Sequence, residues 1–166
     1  MPYGCREKAY KRNENRVRGE IIYYTILLER IIDSYIARHF FPDTESDKFH
    51  EVKKFLIADR MEFSKKIEVF KEILMIECVT KEVFNQQYPR FGDDFKEIGN
   101  TRNDFAHGLS LMPPNKDLNK WEIILYKYRK EQPEPYSKEK IKECLEKIFK
   151  YIDRFSEGGT HVQIGK

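Results

Sequence analysis

The sequence predicts an all-α fold with a small β-hairpin appended at about residues 108–130. Three observations predict it. Apolar residues recur at three- and four-residue spacing through most of the chain, as one buried face of a helix requires. Ser, Thr, Pro and Gly stand where such helices would begin and end. One stretch, 121–128, instead gathers β-branched and aromatic residues in the manner of a strand.

Residues 1–15 are polar and basic, and are expected to form a flexible arm or the frayed start of the first helix. Residues 16–156 form a single helical domain, and 157–166, opening on Glu157-Gly158-Gly159, a disordered tail. The first helix spans about 16–40, with Ile21, Tyr24, Leu28, Ile31, Ile32, Tyr35 and Ile36 on one broad face. Ile22, Ile26 and Leu27 widen that face nearly all round, so this helix is either central or buries a second face against a partner. Pro42 and Asp43 end it. A short helix over 47–59 carries Phe49, Val52, Phe55 and Leu56, and another over 64–77 turns Ile67, Phe70, Leu74 and Cys78 inward. Thr80 caps a helix over 81–88, and Pro89 interrupts the pattern. The next helix, about 93–106, has Phe95, Ile98, Phe105 and Ala106 as its apolar positions, with Gly108 placed to stop it.

The chain then changes character. Pro113-Pro114-Asn115-Lys116-Asp117 is a loop signal, and the strand over 121–128 has 108–112 as its candidate partner. Pro133 and Pro135 break the chain again. Ser137 caps a last helix to about residue 155, with Ile141, Leu145, Ile148, Ile152 and Phe155 inward.

Composition limits the function classes. At 166 residues, 40% hydrophobic and 14% aromatic, the chain can enclose a core and is not a disordered segment. Lys+Arg 31 against Asp+Glu 28 leaves a net charge of +3, which permits contact with nucleic acid without arguing for it. Cys5, Cys78 and Cys144 are odd in number and lack metal or redox spacing, and His39, His50, His107 and His161 are scattered, so neither a metal nor a cofactor is expected. Arg6, Lys8, Lys11, Arg12 and Arg16 occupy the region where a secretory signal would be apolar. The longest apolar run, 21–28, is about a third of a membrane span. A cytoplasmic protein without a membrane segment is the expectation.

The chemistry concentrates in Arg102-Asn103-Asp104-Phe105-Ala106-His107-Gly108. Arginine offers a fixed, always-charged fork for a phosphate, and histidine moves protons near neutral pH. Those capacities suffice for cleaving RNA without a metal, because the 2′-hydroxyl is an internal nucleophile. Asn103 adds an amide donor. Asp104, one turn before His107, is a candidate for fixing the imidazole tautomer. At a helix C-terminus the backbone's partial negative charge favours an imidazolium. The step from Arg102 to His107 turns about 140° on a helix, so the two point apart, and the spacing suggests two copies meeting about a two-fold axis to place both pairs around one groove. The bland reading is an arginine and a histidine that pair with carboxylates or cap carbonyls.

Other candidates have bland readings too. Glu29 and Asp33, one turn apart among apolar neighbours, either clamp Arg102 or form a salt bridge or a solvated strip, and helical charge patterns favour the latter pair of readings. Tyr23 and Tyr24 either stack on RNA or serve the core or a dimer interface. The run Tyr126-Lys127-Tyr128-Arg129-Lys130 interleaves rings and cations as single-strand binders do, but an edge strand guarded by lysines explains it better. Ser64 and Ser137 read as helix caps, and His39 as a helix-end residue.

Arg102-Asn103-x-x-x-His107, with Phe95-Lys96-Glu97-Ile98-Gly99-Asn100-Thr101 before it and Phe105-Ala106-His107-Gly108 closing it, resembles the R-x-x-x-x-H signature of the HEPN superfamily. Met61-Glu62-Phe63-Ser64-Lys65-Lys66-Ile67-Glu68 is similar to a segment of HEPN-like branches akin to the mannitol operon repressor family. The resemblance implies an antiparallel helix bundle, a homodimer with facing motifs, and metal-independent endoribonuclease activity in toxin–antitoxin or antiviral defence systems. An antitoxin or sensor protein would be a partner. By the same resemblance Arg102 binds the scissile phosphate, His107 transfers protons and Asn103 assists. HEPN toxins paired with nucleotidyltransferase antitoxins usually carry a tyrosine two residues after the histidine; here that position is Leu109, which lacks the hydroxyl that nucleotide attachment would use. Non-catalytic members of the superfamily keep a second reading open, an interaction or regulatory module that binds a partner or nucleic acid without cutting.

Overall fold

One helix organises the others. α1 (Tyr3–Phe40) buries Val17, Ile21, Thr25, Leu28, Ile32 and Ile36 against three further helices, α3 (Phe63–Glu77), α5 (Phe91–His107) and α6 (Lys138–Phe155). This is the central placement its nearly continuous apolar surface predicts. The computed structural model describes residues 3–110, 122–126 and 134–156; the predicted 113–117 loop, Trp121, Lys127 to Lys130 and the 157–166 tail lie outside the described residues.

The segment read as an arm or frayed start is helical from Tyr3. Its turns are held by polar contacts that apolar periodicity does not register. Glu7 pairs with Lys11 at 3.2 Å, and the Tyr10 hydroxyl accepts from the Ile124 backbone N–H at 3.4 Å and shares a hydrogen bond with the Ser110 hydroxyl at 3.2 Å.

After α1 the chain turns into α2 (Asp47–Glu51), where the Ser46 hydroxyl accepts from the Phe49 N–H at 3.3 Å. It continues without interruption as a π-helical turn over Val52–Ala58. The wider turn shifts the helical phase. Phe49 and Ile57 are therefore buried, while Phe55 and Leu56, which α-periodicity groups with Phe49, are 54% and 60% exposed. Thr80 caps α4 (Lys81–Gln87) as its hydroxyl predicts, accepting from the Val83 N–H at 3.3 Å.

The expected hairpin is present and gains a strand. β1 (Leu109–Ser110), β2 (Glu122–Tyr126) and β3 (Glu134–Ser137) form an antiparallel sheet in the order β1-β2-β3. β2 is thus the middle strand of the three; the run Lys127 to Lys130, read as part of a lysine-guarded edge strand, lies outside the described residues. Pro133 and Pro135 read as breakers, yet Pro135 sits opposite Ile124 on the outer strand, where a missing N–H interrupts no second ladder. Ile123, Leu125 and Tyr136 are buried beneath the end of α5, with the Tyr136 ring 5.0 Å from that of Phe105. Ser137 then caps α6, accepting from the Lys140 N–H at 3.2 Å.

An aromatic cluster fills the middle of the helical body: Phe70 on Phe155 at 4.8 Å, and Phe95 on both Phe91 and Tyr151 at 4.6 Å. Each buried ring contributes about 1.5–3 kcal/mol relative to exposure. Buried Asp94 ties α5 to α6, accepting from the Tyr151 hydroxyl at 2.9 Å and Lys150 at 3.1 Å. Burial, with that carboxylate beside it, holds the Tyr151 hydroxyl well above the usual phenol range. Burial also pushes the Cys144 thiol up to about 11, which keeps it a protonated core group.

Two helix ends show opposite uses of the backbone. Gly108 stops α5 as expected, but in an extended conformation rather than a left-handed one. A Cβ there would lie 2.4 Å from the Asp104 carbonyl oxygen and 3.2 Å from the Leu125 Cβ, so glycine is demanded by close approach. At the end of α3 it is Val79, a β-branched and 82% exposed residue, that takes the left-handed conformation, with φ 65°. Val79→Gly should therefore raise stability by about 1 kcal/mol, read as a shift in the urea midpoint. An unchanged or lower midpoint would contradict the strain argument.

Candidate functional site

Helix α5 packs its apolar stripe inward and carries Arg102, Asn103 and His107 outside that stripe. Arg102 is half-buried, and its Nη1 donates to the Asn103 Oδ1 at 3.1 Å. That bond occupies the carbonyl end of the Asn103 side chain and leaves its amide group as a donor. Asn103 and His107 are exposed. Among the described residues, neither Arg102 nor His107 meets a carboxylate, and the His107 imidazole has no hydrogen-bond partner. The pairing that would make this arginine and histidine merely structural is not found there.

Arg102 and Asn103 open on a cleft of about 630 Å3 between α5 and the start of α3. Residues spaced by three or four along α5 share one face, and here Gly92, Lys96, Gly99 and Asn103 form one wall. Met61, Phe63, Ser64 and Ile67 form the other, with Glu29 of α1 beside them. His107, turned away from Arg102 by the helical step, does not line this cleft. The structure thus brings Arg102, Asn103 and Glu29 to one cavity and leaves His107 on the surface at the helix end.

The supporting carboxylates have other partners. Glu29 and Asp33 do not clamp Arg102; both hold Lys66 of α3, at 2.6 Å from Glu29 Oε1 and at 3.0 and 3.1 Å from the two Asp33 oxygens. The salt-bridge reading is the correct one, with a partner that charge patterning on α1 alone does not reveal. Lys66 is only 1% exposed. Its position one turn before Phe70 on the buried stripe of α3 was the available signal. Burial raises the Asp33 carboxyl above its ordinary range despite the pull of Lys66. Asp104 is buried and accepts a hydrogen bond from the Tyr136 hydroxyl, so its visible role is to fasten the sheet to the end of α5.

Arg18 is the residue that sequence reasoning missed. Its guanidinium donates to the Phe105 carbonyl and, at 3.1 Å, to the Gly108 carbonyl, while its Nε bonds the buried Glu14 carboxylate at 2.8 Å. Positive charge on the last carbonyls of a helix satisfies orphan acceptors and complements the dipole. The Glu14–Arg18 spacing marks a pair on α1, but nothing local shows where it lands. Arg18→Ala should cost about 2–3 kcal/mol and speed amide exchange in the last turn of α5. Protection unchanged from the parent would show that this brace does not hold the motif.

Set against models of known protein families, curated proteins and solved structures, the chain matches none. Among the described residues, no helix is long and apolar enough to cross a membrane, and no three His, Cys, Asp or Glu side chains gather as a metal site requires. What the arrangement offers chemically is a fixed cation, an amide donor and a free imidazole at the end of one braced helix, beside a cleft of ligand size.

Proposed function

We propose that the protein is a HEPN-like, metal-independent endoribonuclease of the cytoplasm, acting as a homodimer in a toxin or antiviral defence setting and restrained or triggered by an antitoxin or sensor protein. The observation that carries this reading is the availability of Arg102 and His107, accessible and without carboxylate partners among the described residues, next to the Arg102–Asn103 cleft. The 2′-hydroxyl attacks the adjacent phosphorus, forming the P–O2′ bond as the P–O5′ bond breaks. The products are a 2′,3′-cyclic phosphate and a 5′-hydroxyl. Arg102 offsets charge growing on the phosphate oxygens, Asn103 donates to them, and His107 gives a proton to the leaving O5′ while the 2′-hydroxyl loses its own proton to water. Because Arg102 and His107 diverge on one helix, a second copy supplies the missing group at each phosphate.

Incubation with structured and unstructured RNA in EDTA tests the activity. Cleavage with cyclic phosphate ends is expected, and its survival after Arg102 and His107 are both replaced by alanine would reject the assignment.

A binding module that does not cut is the second reading. It is favoured by Tyr23 and Ile26, 62% and 38% exposed on α1, an apolar surface a partner would cover. RNA or protein binding that is unaffected by Arg102→Ala and His107→Ala, with no cleavage, would select it.

A further inference from the structure

The cleft beside Arg102 has a lining with two distinct parts. Of the residues lining it, Phe95 is buried and Phe63 and Gly99 are half-buried, while Asn100 and Asn103 are exposed and Arg102 is half-buried beside them. Phe63 is half-buried and leans on α5 where Gly99 removes any side chain, since a Cβ at Gly99 would touch its ring carbons at 3.4 and 3.5 Å. A side chain at position 99 would lie against the ring and take up space beside it. Two carboxylates, Glu29 and Glu62, also face the space, so a phosphate is disfavoured inside it. Glu29 pairs with Lys66, which it shares with Asp33. An aromatic wall, amide edges and a cationic lip fit an uncharged heterocycle whose attached phosphate stays outside.

We infer that this cleft receives one unpaired nucleobase of an RNA strand, stacked on Phe63 and contacted at its edge by Asn100, while the adjoining phosphate rests on Arg102 and Asn103. The inference rests on the ribonuclease reading for its substrate class, and it adds what that reading lacks, a means of choosing the nucleotide beside the cut. Bases splayed out of single strands are recognised by ring stacking and amide contacts to their edges. Stacking on an aromatic side chain tolerates any base, so discrimination would come from Asn100.

The test uses short single-stranded RNAs made wholly of 2′-O-methyl nucleotides, which cannot be cut, with fluorescence anisotropy as readout. An abasic nucleotide is walked along the strand. Occupation of the cleft predicts that removing the base at one position weakens binding by about ten-fold or more. In Gly99→Leu, whose side chain fills the space beside Phe63, that penalty should vanish, and in the exposed variant Asn100→Ala it should shrink and lose dependence on base identity. A penalty spread evenly along the strand, its persistence in both variants, or no binding of any of these RNAs would overturn the inference. Should Gly99→Leu not fold by circular dichroism, Asn100→Ala decides alone. The two readings fail separately. Cleavage dependent on Arg102 and His107 without a position-specific base penalty removes the pocket and leaves the nuclease; the penalty without cleavage does the reverse.

Discussion

Replacing Lys66 by alanine is expected to cost about 3–5 kcal/mol of unfolding free energy, a large part of the total for a domain of this kind. The lysine is 1% exposed and is held between Glu29 and Asp33. Its removal strands two carboxylates, one of them at the buried Asp33, with no cation to offset the lost hydration. Substituting all three (Lys66→Met, Glu29→Gln, Asp33→Asn) should restore most of the loss, because no uncompensated charge remains. The pH dependence has a definite sign. The Asp33 carboxyl is raised in the folded protein, chiefly by burial, and Lys66 is what limits the rise. Without Lys66 the rise is larger, and the folded state binds a proton more readily than the unfolded chain does. Stability of Lys66→Ala should therefore increase as pH falls from the raised folded value toward the ordinary carboxylate range, and the deficit should be greatest at neutral pH. Urea unfolding across that range reads both effects. A variant as stable as the parent at neutral pH would mean that the triad is open to water.

On the proposed ribonuclease reading, the second large effect is on catalysis. His107→Ala should slow RNA cleavage by about 10²–10⁴-fold, the usual worth of a positioned proton-transfer group. Arg102→Ala should slow it by about 10²–10³-fold, and Arg102→Lys should not restore it, since an ammonium lacks the planar fork that spans two phosphate oxygens. Asn103→Ala removes one neutral donor and should cost about ten-fold. None of these should move the thermal midpoint appreciably, because His107 and Asn103 are exposed and the visible bond of Arg102 is to Asn103. Rates on end-labelled RNA, measured beside thermal unfolding, separate the two effects. A parallel loss of stability would mark these side chains as scaffold.

Local chemistry announced much of the fold. Thr80 and Ser137 cap helices because a hydroxyl before an apolar-periodic run satisfies a free N–H. The face of α1 from Ile21 to Ile36 is buried as its period requires. What remained hidden depends on partners distant in sequence. Tyr10 secures the first turns of α1 through the hairpin, and Pro135 is tolerated only because β3 is the outer strand. Phe55 and Leu56 face out because a π-turn alters the phase of an otherwise helical pattern. The same division runs through the site. Arg102, Asn103 and His107 are conspicuous as residue types that bind phosphate and move protons. The buried lysine that consumes Glu29 and Asp33, the tyrosine that takes Asp104 and the arginine that braces the end of α5 each required three dimensions to be seen.

The most direct test of a shared active site mixes two inactive proteins. On the proposed dimeric reading, Arg102→Ala and His107→Ala chains unfolded and refolded together would form some dimers that hold one intact arginine from one copy and one intact histidine from the other. If the two groups meet across the two-fold axis, the mixture cleaves RNA in EDTA although neither parent does. A mixture as inactive as its components would contradict catalysis by Arg102 and His107 drawn from separate copies.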